Sequence, residues 1–167
     1  MESWFNDYYP ALTSNLVVCV NSGTSALHLS YILANIKDGD EVLTPVLNCT
    51  AGTHAILYQR AIPVFVDVQK DTLNIDPEDI KRKITKKTKA IVVMHNGGQP
   101  CDMDEIMEIA QKYNLKVIED TSQAISGEYK GKKLGTIGHY GAISLQAIKI
   151  FSIGDGGILL INTTEED

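Results

Sequence analysis

The sequence predicts a three-layer α/β/α fold built around a mostly parallel sheet of seven strands. Seven short runs rich in β-branched residues recur along the chain, and helix-like stretches separate the first five of them. Alternation of strand and helix is typical of βαβ crossover units, which place strands in parallel and helices on the sheet faces. Because no repeat, low-complexity tract or linker divides the pattern, residues 1–167 are predicted to form one unit.

The predicted strands and helices follow one another in a regular order. The strands are LVVCV at 16–20, EVLT at 41–44, IPVFVDV at 62–68, AIVVM at 90–94, KVIE at 116–119, AISL at 142–145 and GILLI at 157–161. The helix-like stretches lie at 24–35, 50–59, 76–84 and 102–113. No helix lies between the last two strands, so their connection is expected to differ from the crossovers before it.

The third helix has the best-marked start. Asp76 is able to cap it, Pro77 suits its first turn, and Glu78 and Asp79 oppose the positive end of the helix dipole. Asn114 is expected to close the fourth helix.

Composition and charge exclude several classes of protein. With 44% hydrophobic residues, 22% charged residues and no apolar run near the ~18 residues of a membrane span, the chain is typical of a globular protein. Its 15 basic and 21 acidic side chains give a net charge of −6, which removes the general attraction to nucleic acid and anionic lipid. The three cysteines, Cys19, Cys49 and Cys101, contain no CxxC pair, so a reducing cytoplasm without disulfides or structural zinc is expected.

Both ends of the sequence resemble parts of incomplete elements. Residues 162–167, Asn-Thr-Thr-Glu-Glu-Asp, are typical of the start of a helix, and the aromatic residues within 4–9 are typical of the last turns of an earlier one. We therefore expect a partial domain that would expose apolar surface if it were produced alone.

In a wound α/β sheet, ligands bind beyond the carboxyl ends of the parallel strands, so the residues after each strand are candidates for a site. The turn 21–27, NSGTSAL, leads directly into a helix and offers N–H groups and hydroxyls that suit a phosphate; an ordinary capped turn is the alternative. After the strand at 116–119, Asp120 is placed to hold a ring N–H⁺ or, alternatively, to cap a helix, and Gln123 follows three residues later.

A single lysine follows the strand at 142–145. Lys149 lies among Ile148, Ile150 and Phe151, before a glycine-rich turn. An apolar neighbourhood favours the neutral amine, which is the form that acts as a nucleophile or Schiff-base former. A solvated surface charge is the alternative.

Other polar segments give weaker indications. The loop at 95–100, HNGGQP, is able to line a substrate cleft, although a purely structural loop fits equally well. Six of the fifteen basic residues lie between 81 and 89 at a helix end, where cations complement the dipole, so a solvated helix end is favoured. The four histidines lack metal-ligand spacing, and no metal site is predicted.

Taken together, these segments resemble the DegT/DnrJ/EryC1/StrS family of pyridoxal-phosphate-dependent aminotransferases, which act on keto sugars attached to nucleotides. The segments that follow the family's order are NSGTSALHL, GDEVLTP, PVFVDVQKDTLNIDPEDI, GQPCDMDEIMEIA, VIEDTSQA, YKGKKLGTIGHYGAIS and the stretch from Lys149 to Gly157. The resemblance implies a partial fold-type-I transferase large domain over residues 1–167, with the smaller C-terminal domain absent.

The resemblance also implies a role for each candidate residue. Lys149 would bind pyridoxal 5′-phosphate through a Schiff base and move a proton during catalysis, and Asp120 would keep the pyridine nitrogen protonated. Gln123 would bond the phenolic oxygen or pack on the ring, and Cys49 stands where many members place an aromatic residue against the cofactor. The residues expected to receive the phosphate are Gly23, Thr24, Ser25 and Ser144.

By the same resemblance, the reaction would be transamination of a nucleotide-sugar substrate with glutamate as the amino donor, in a homodimer whose subunits complete each other's site. A catalytically silent binding or oligomerisation remnant is the alternative. A plain nucleotide-binding domain is disfavoured because the chain has no GxGxxG motif and Lys149 would have no task. The lysine also disfavours the sugar dehydratase branch, which has histidine there. The identity of the sugar substrate stays open, because Asp155 stands where glutamate is frequent in the family and the loop at 95–98 also departs from the family's pattern.

Overall fold

The structure is a computed structural model, and it describes residues 16–163. The helix ends expected within residues 4–9 and after Thr163 lie outside the described residues. Within residues 16–163, no helix is long and apolar enough to cross a membrane.

Nine strands and four α-helices make up the described chain. The strands are β1 (Leu16–Val20), β2 (Glu41–Pro45), β3 (Ile62–Val66), β4 (Thr88–Met94), β5 (Lys116–Asp120), β6 (Glu128–Tyr129), β7 (Lys132–Lys133), β8 (Tyr140–Ser144) and β9 (Gly157–Ile161). The helices are α1 (Gly23–Leu33), α2 (Thr50–Tyr58), α3 (Pro77–Lys83) and α4 (Met103–Tyr113). A single 3₁₀ turn, Asn96–Gly98, lies between β4 and α4.

Seven of these strands form one sheet in the order β1-β9-β8-β5-β4-β2-β3. The pairs β2–β3, β2–β4, β4–β5 and β5–β8 are parallel, and β9 runs antiparallel to both of its neighbours. The reversal at β9 follows from the connection between β8 and β9, which contains no helix that would return the chain for a parallel pairing. The predicted seven-stranded, mostly parallel sheet is therefore confirmed.

Successive apolar side chains of the central strands point to opposite faces of the sheet. The side chains on each face pack against a different pair of helices. On one face, Val92 and Ile118 join Leu27 of α1 and Ile56 of α2 in one cluster of buried residues. On the other face, neighbouring strand residues pack with Ile80 of α3 and with α4 in a second cluster. Burial on both faces explains why these strands read as continuous apolar runs, and it confirms the three-layer architecture.

The helix ends follow the predicted signals. Asp76 accepts a hydrogen bond from the N–H of Glu78 at 3.0 Å, with Pro77 in the first turn. Asn114 closes α4 in the left-handed conformation with φ of 53°. Some details differ from the predictions, and β4 and β8 each begin two residues earlier than predicted. The strand expected at 62–68 ends at Val66, and a two-stranded hairpin of β6 and β7 was not predicted.

Strand direction brings the candidate residues to one edge. β1, β2, β4, β5 and β8 all run the same way, since β1 and β8 are both antiparallel to β9. Their carboxyl ends therefore lie along the same edge of the sheet, where α1 begins and where the loop between β8 and β9 turns back.

Candidate active site

A cavity of about 220 Å³ lies at this edge, between the start of α1, the end of β5 and the loop after β8. Its lining residues are Ser22, Gly23, Thr24, Leu27, Cys49, Ala51, Met94, Asp120, Ser122, Gln123, Ser144, Gln146, Ile148, Lys149, Asp155 and Gly156. Every residue given a role by the family resemblance is among them except Ser25. A larger and more open groove of about 710 Å³ runs along α4, and it contains none of the proposed site residues.

The start of α1 presents backbone N–H groups to the cavity. Ser22 caps the helix from an extended conformation, and its Oγ accepts a hydrogen bond from the N–H of Ser25 at 3.1 Å. The N–H groups of Gly23 and Thr24 belong to the first turn, where a helix offers them no acceptor, and this turn contains no acidic residue. The dipole of the eleven-residue helix adds partial positive charge, so this end of the cavity suits an anion.

Gly23 allows the helix to approach β8 closely. A Cβ atom at this position would lie 2.7 Å from Cβ of Ser144, closer than side-chain atoms normally come. The absence of a side chain therefore brings the first-turn N–H groups of α1 beside the Ser144 hydroxyl.

Ser25 is turned away from the cavity. Its hydroxyl donates to Oδ1 of Asn21 at 2.5 Å and lies 3.0 Å from Oγ of Ser22. These bonds engage Ser25 within the helix cap, so a direct part in anion binding has no geometric support.

Asp120 places a buried carboxylate in the cavity wall. The residue ends β5 and is 3% exposed, and its Oδ1 accepts a hydrogen bond from the N–H of Ser122 at 3.0 Å. Within residues 16–163, no cationic side chain pairs with it. Residues 121–127 form turns, so the alternative role as a helix cap is wrong. A buried carboxylate without a cationic partner is costly, and it suits a positively charged ligand group.

Tyr31 closes the interior beneath this carboxylate. Its side chain is fully buried, and its hydroxyl donates to the carbonyl of Gly52 at 3.3 Å. Burial, and to a smaller extent the negative charge of Asp120, raise the pKa of Tyr31 well above its usual value. The phenol therefore stays neutral and is not available as a base.

Gln123 contributes a donor. Its Oε1 accepts a hydrogen bond from the N–H of Gly97 at 2.9 Å, which identifies the oxygen and nitrogen of the amide. With the oxygen engaged, the Nε2 group is the part of this side chain that offers a hydrogen bond to a ligand oxygen.

Lys149 lines the cavity from the turn after β8. Its backbone N–H donates to the carbonyl of Gln146 at 2.9 Å, and its side chain is half-buried. The expectation that apolar neighbours enclose it is wrong, because Ile148 and Ile150 are each 82% exposed.

The remaining wall is apolar with an accessible thiol. Cys49 precedes α2, makes no side-chain cap hydrogen bond and is exposed. It lines the cavity with Leu27 and Ala51.

Of the two interpretations left open for the loop after β4, the structure supports the structural one. His95 is fully buried and does not line the cavity. Met94, the last residue of β4, does line it and was not singled out, although its place at a strand end was the available signal. Ser122 was also missed, and it follows Asp120 by two residues. Within residues 16–163, no cluster of three or more His, Cys, Asp or Glu residues is arranged for a metal ion.

Known proteins have sequences similar to nearly the whole of this chain. An uncharacterised protein of Methanocaldococcus jannaschii is 46% identical over 98% of this chain and 42% of its own length. A GDP-perosamine synthase of Caulobacter vibrioides is 40% identical over 99% of this chain and 43% of its own length. The chain thus spans less than half the length of these relatives.

Solved structures agree in fold. An aminotransferase from Psychrobacter cryohalolentis matches with a TM-score of 0.90 at 39% identity, covering 96% of this chain and 40% of that one. A protein of Streptococcus pneumoniae solved in its PLP form matches with a TM-score of 0.85 at 28% identity, covering 96% of this chain and 46% of that one. The family profile described as the DegT/DnrJ/EryC1/StrS aminotransferase family matches residues 1–167. The chain therefore belongs to the DegT/DnrJ/EryC1/StrS aminotransferase family.

Proposed function

We propose that the protein containing this chain is a pyridoxal-phosphate-dependent aminotransferase that converts a nucleotide-linked keto sugar to an amino sugar, with glutamate as the amino donor. One observation carries the proposal: a single cavity combines a lysine amine, a buried carboxylate without a cationic partner and the N-terminus of a helix.

The three groups match three parts of pyridoxal phosphate. The first-turn N–H groups of α1 and the Ser144 hydroxyl would hold the phosphate, for which Gly23 leaves room. The Asp120 carboxylate would pair with the protonated ring nitrogen and so gain the cation that the described residues do not supply. Lys149 would hold the cofactor covalently, and Nε2 of Gln123 would donate to the phenolic oxygen.

When bound, pyridoxal phosphate supplies an electron sink that stabilises negative charge developing on the carbon next to the substrate nitrogen. The chain's own residues control where protons lie. Asp120 would hold the proton on the ring nitrogen, and Nζ of Lys149, when it is not joined to the cofactor, would accept the proton from the substrate carbon and move it toward the cofactor. Burial of Asp120 would limit competition from water for that ion pair.

Relatives support the substrate class. The GDP-perosamine synthases of Caulobacter vibrioides and Vibrio cholerae are 40% and 38% identical to this chain and are named for the synthesis of an amino sugar joined to GDP. The choice of glutamate rests on family resemblance.

We further propose a homodimer in the cytoplasm, with residues 1–167 as part of the large domain of a longer enzyme. Exposed apolar side chains follow two of the strands that end at the cavity edge: Val46, 58% exposed, comes after β2, and Ile148 and Ile150, each 82% exposed, come after β8. A second subunit would cover such a surface. Three free cysteines are compatible with a reducing compartment.

The test uses the full-length protein. Addition of pyridoxal phosphate is expected to produce a visible absorption band, and borohydride reduction followed by peptide mapping is expected to place the label on Lys149. Lys149→Arg is the control and should remove the label. Label on Lys130, Lys132 or Lys133 instead would contradict the assignment. Label on Lys149 without glutamate-dependent turnover would favour the catalytically silent alternative.

A further inference from the structure

Glu119 lies next to Asp120 in β5 but on the opposite face of the sheet, outside the cavity. Its side chain is fully buried, and both carboxylate oxygens are occupied. Oε1 accepts hydrogen bonds from the N–H groups of Ile137 at 2.7 Å and Gly138 at 2.6 Å. Oε2 accepts from the N–H of Gly135 at 2.8 Å and lies 3.1 Å from Nε2 of His95.

The hydrogen bonds of His95 fix its tautomer. Nδ1 of the ring accepts a hydrogen bond from the N–H of Cys101 at 3.1 Å, so the ring proton is on Nε2 and is donated to Glu119. The ring is thus neutral, and Glu119 carries a buried negative charge held by four donors. Hydrogen bonds to a charged group are stronger than neutral ones, so this group fixes its donors firmly.

Two routes lead from Glu119 to the cavity. Through His95, it holds the start of the turn in which the N–H of Gly97 donates to Oε1 of Gln123. Through Gly135 and Gly138, it holds the turn before β8, whose last residue is Ser144. A side chain on one face of the sheet is thereby connected to two walls of the cavity on the other.

We propose that Glu119 is a positioning residue for the cofactor site: through His95 it orients Gln123, and through the turn at 135–138 it sets the position of Ser144. This rests on the proposed function, because the ligand being positioned is pyridoxal phosphate. Glu119 itself contacts neither cofactor nor substrate.

Glu119→Gln is the first test. The amide keeps one acceptor oxygen, but its N–H₂ group takes the place of Oε2. That group then faces the N–H of Gly135 and the Nε2–H of His95, which are donors themselves and can no longer be accepted. We expect the dissociation constant for pyridoxal phosphate in the full-length protein to rise about tenfold. The cofactor-free protein should show faster amide hydrogen exchange at Gly97 than the wild type. Ile109→Ala is the control. It opens the core between α4 and the sheet, and so lowers thermal stability by a similar amount without changing the contacts of Glu119.

A pair of histidine substitutions separates positioning from general destabilisation. His95→Gln keeps a donor toward Glu119, whereas His95→Asn keeps an acceptor for Cys101 N–H and loses that donor. Binding close to that of the wild type is expected for His95→Gln, and weakened binding for His95→Asn. This pair also serves if Glu119→Gln does not fold.

The outcomes distinguish this inference from the proposed function. If Glu119→Gln and Ile109→Ala lose stability equally and both bind the cofactor as the wild type does, Glu119 is purely structural and the inference is wrong. Equal binding by the two histidine variants would also contradict it. If the wild type binds no pyridoxal phosphate, the proposed function is wrong. If the amide of Gly97 exchanges at the same rate in Glu119→Gln as in the wild type, the positioning role is wrong, whether or not the cofactor binds.

Discussion

The two sides of the carboxyl end of β5 differ in how their polar groups are satisfied. On the closed side, Glu119 accepts four hydrogen bonds and has no room for a ligand. On the open side, Asp120 is equally buried but accepts one hydrogen bond and meets no cationic side chain within residues 16–163. Burial alone therefore does not separate the two carboxylates; the missing partner makes Asp120 the candidate for binding a ligand cation.

The largest expected effect comes from exchanging each carboxylate for its amide. Asp120→Asn in the full-length enzyme should reduce transamination by about 10²–10³-fold, the range typical for loss of one preorganised electrostatic interaction. Its cofactor-free stability should not fall, because the amide oxygen can still accept from Ser122 and an unpaired charge is removed. Glu119→Gln should instead lower the free energy of unfolding by about 1.5–3 kcal/mol. Turnover assays and denaturant unfolding measure the two effects.

Either of two results for Asp120→Asn would contradict this difference between Asp120 and Glu119. Near-normal turnover by Asp120→Asn would remove this residue from the mechanism. If Asp120→Asn lost as much stability as Glu119→Gln, the Asp120 carboxylate would also be stabilised by groups of the protein and would need no ligand.

The open side could largely be predicted from the sequence, and the closed side could not. Asp120 and Lys149 each follow a recognisable strand, and the strand-end rule places both at one edge of the sheet. The partners of Glu119 in the turn at 135–138 lie 16–19 positions away. No local pattern predicts such a contact, because it depends on how β5 and β8 pair.

Two other features differ from the prediction, each for its own physical reason. The hairpin of β6 and β7 has strands of two residues, too short for a recognisable period, and its turn uses Lys130 and Gly131 with φ of 50° and 79°. The apolar residues beside Lys149 were expected to enclose it, but sequence neighbours in an irregular loop need not be spatial neighbours. Ile148 and Ile150 point to solvent.

A glycine on each side gives a second, smaller test. A Cβ atom at Gly23 would lie 2.7 Å from Cβ of Ser144, and one at Gly138 would lie 2.9 Å from the carbonyl oxygen of Val117. Both alanine variants should lose about 1–3 kcal/mol of stability through overpacking. Gly23→Ala should also weaken the binding of pyridoxal phosphate by about tenfold, because it moves the first turn of α1 directly. Gly138→Ala should weaken it less, because this glycine reaches the cavity only through the position of Ser144. Equal affinity in the two variants would contradict an anion site at this turn.

The smallest expected effect is on the alkylation of the cysteines. A cysteine lies on each side of the sheet, so the two sides can be compared without any substitution. Cys49 is exposed in the cavity wall, whereas Cys101 is buried on the closed side with its Sγ 3.4 Å from the carbonyl oxygen of Met94. Burial raises the pKa of Cys101 well above its usual value, so at pH 8 it remains a thiol and should not react with iodoacetamide. Cys19, exposed on β1 outside the cavity, is the internal control. Pyridoxal phosphate should slow alkylation of Cys49 a few-fold and leave Cys19 unchanged, as followed by mass spectrometry of peptides. Protection of both cysteines would indicate a general change in the protein, and protection of neither would place the cofactor away from this wall.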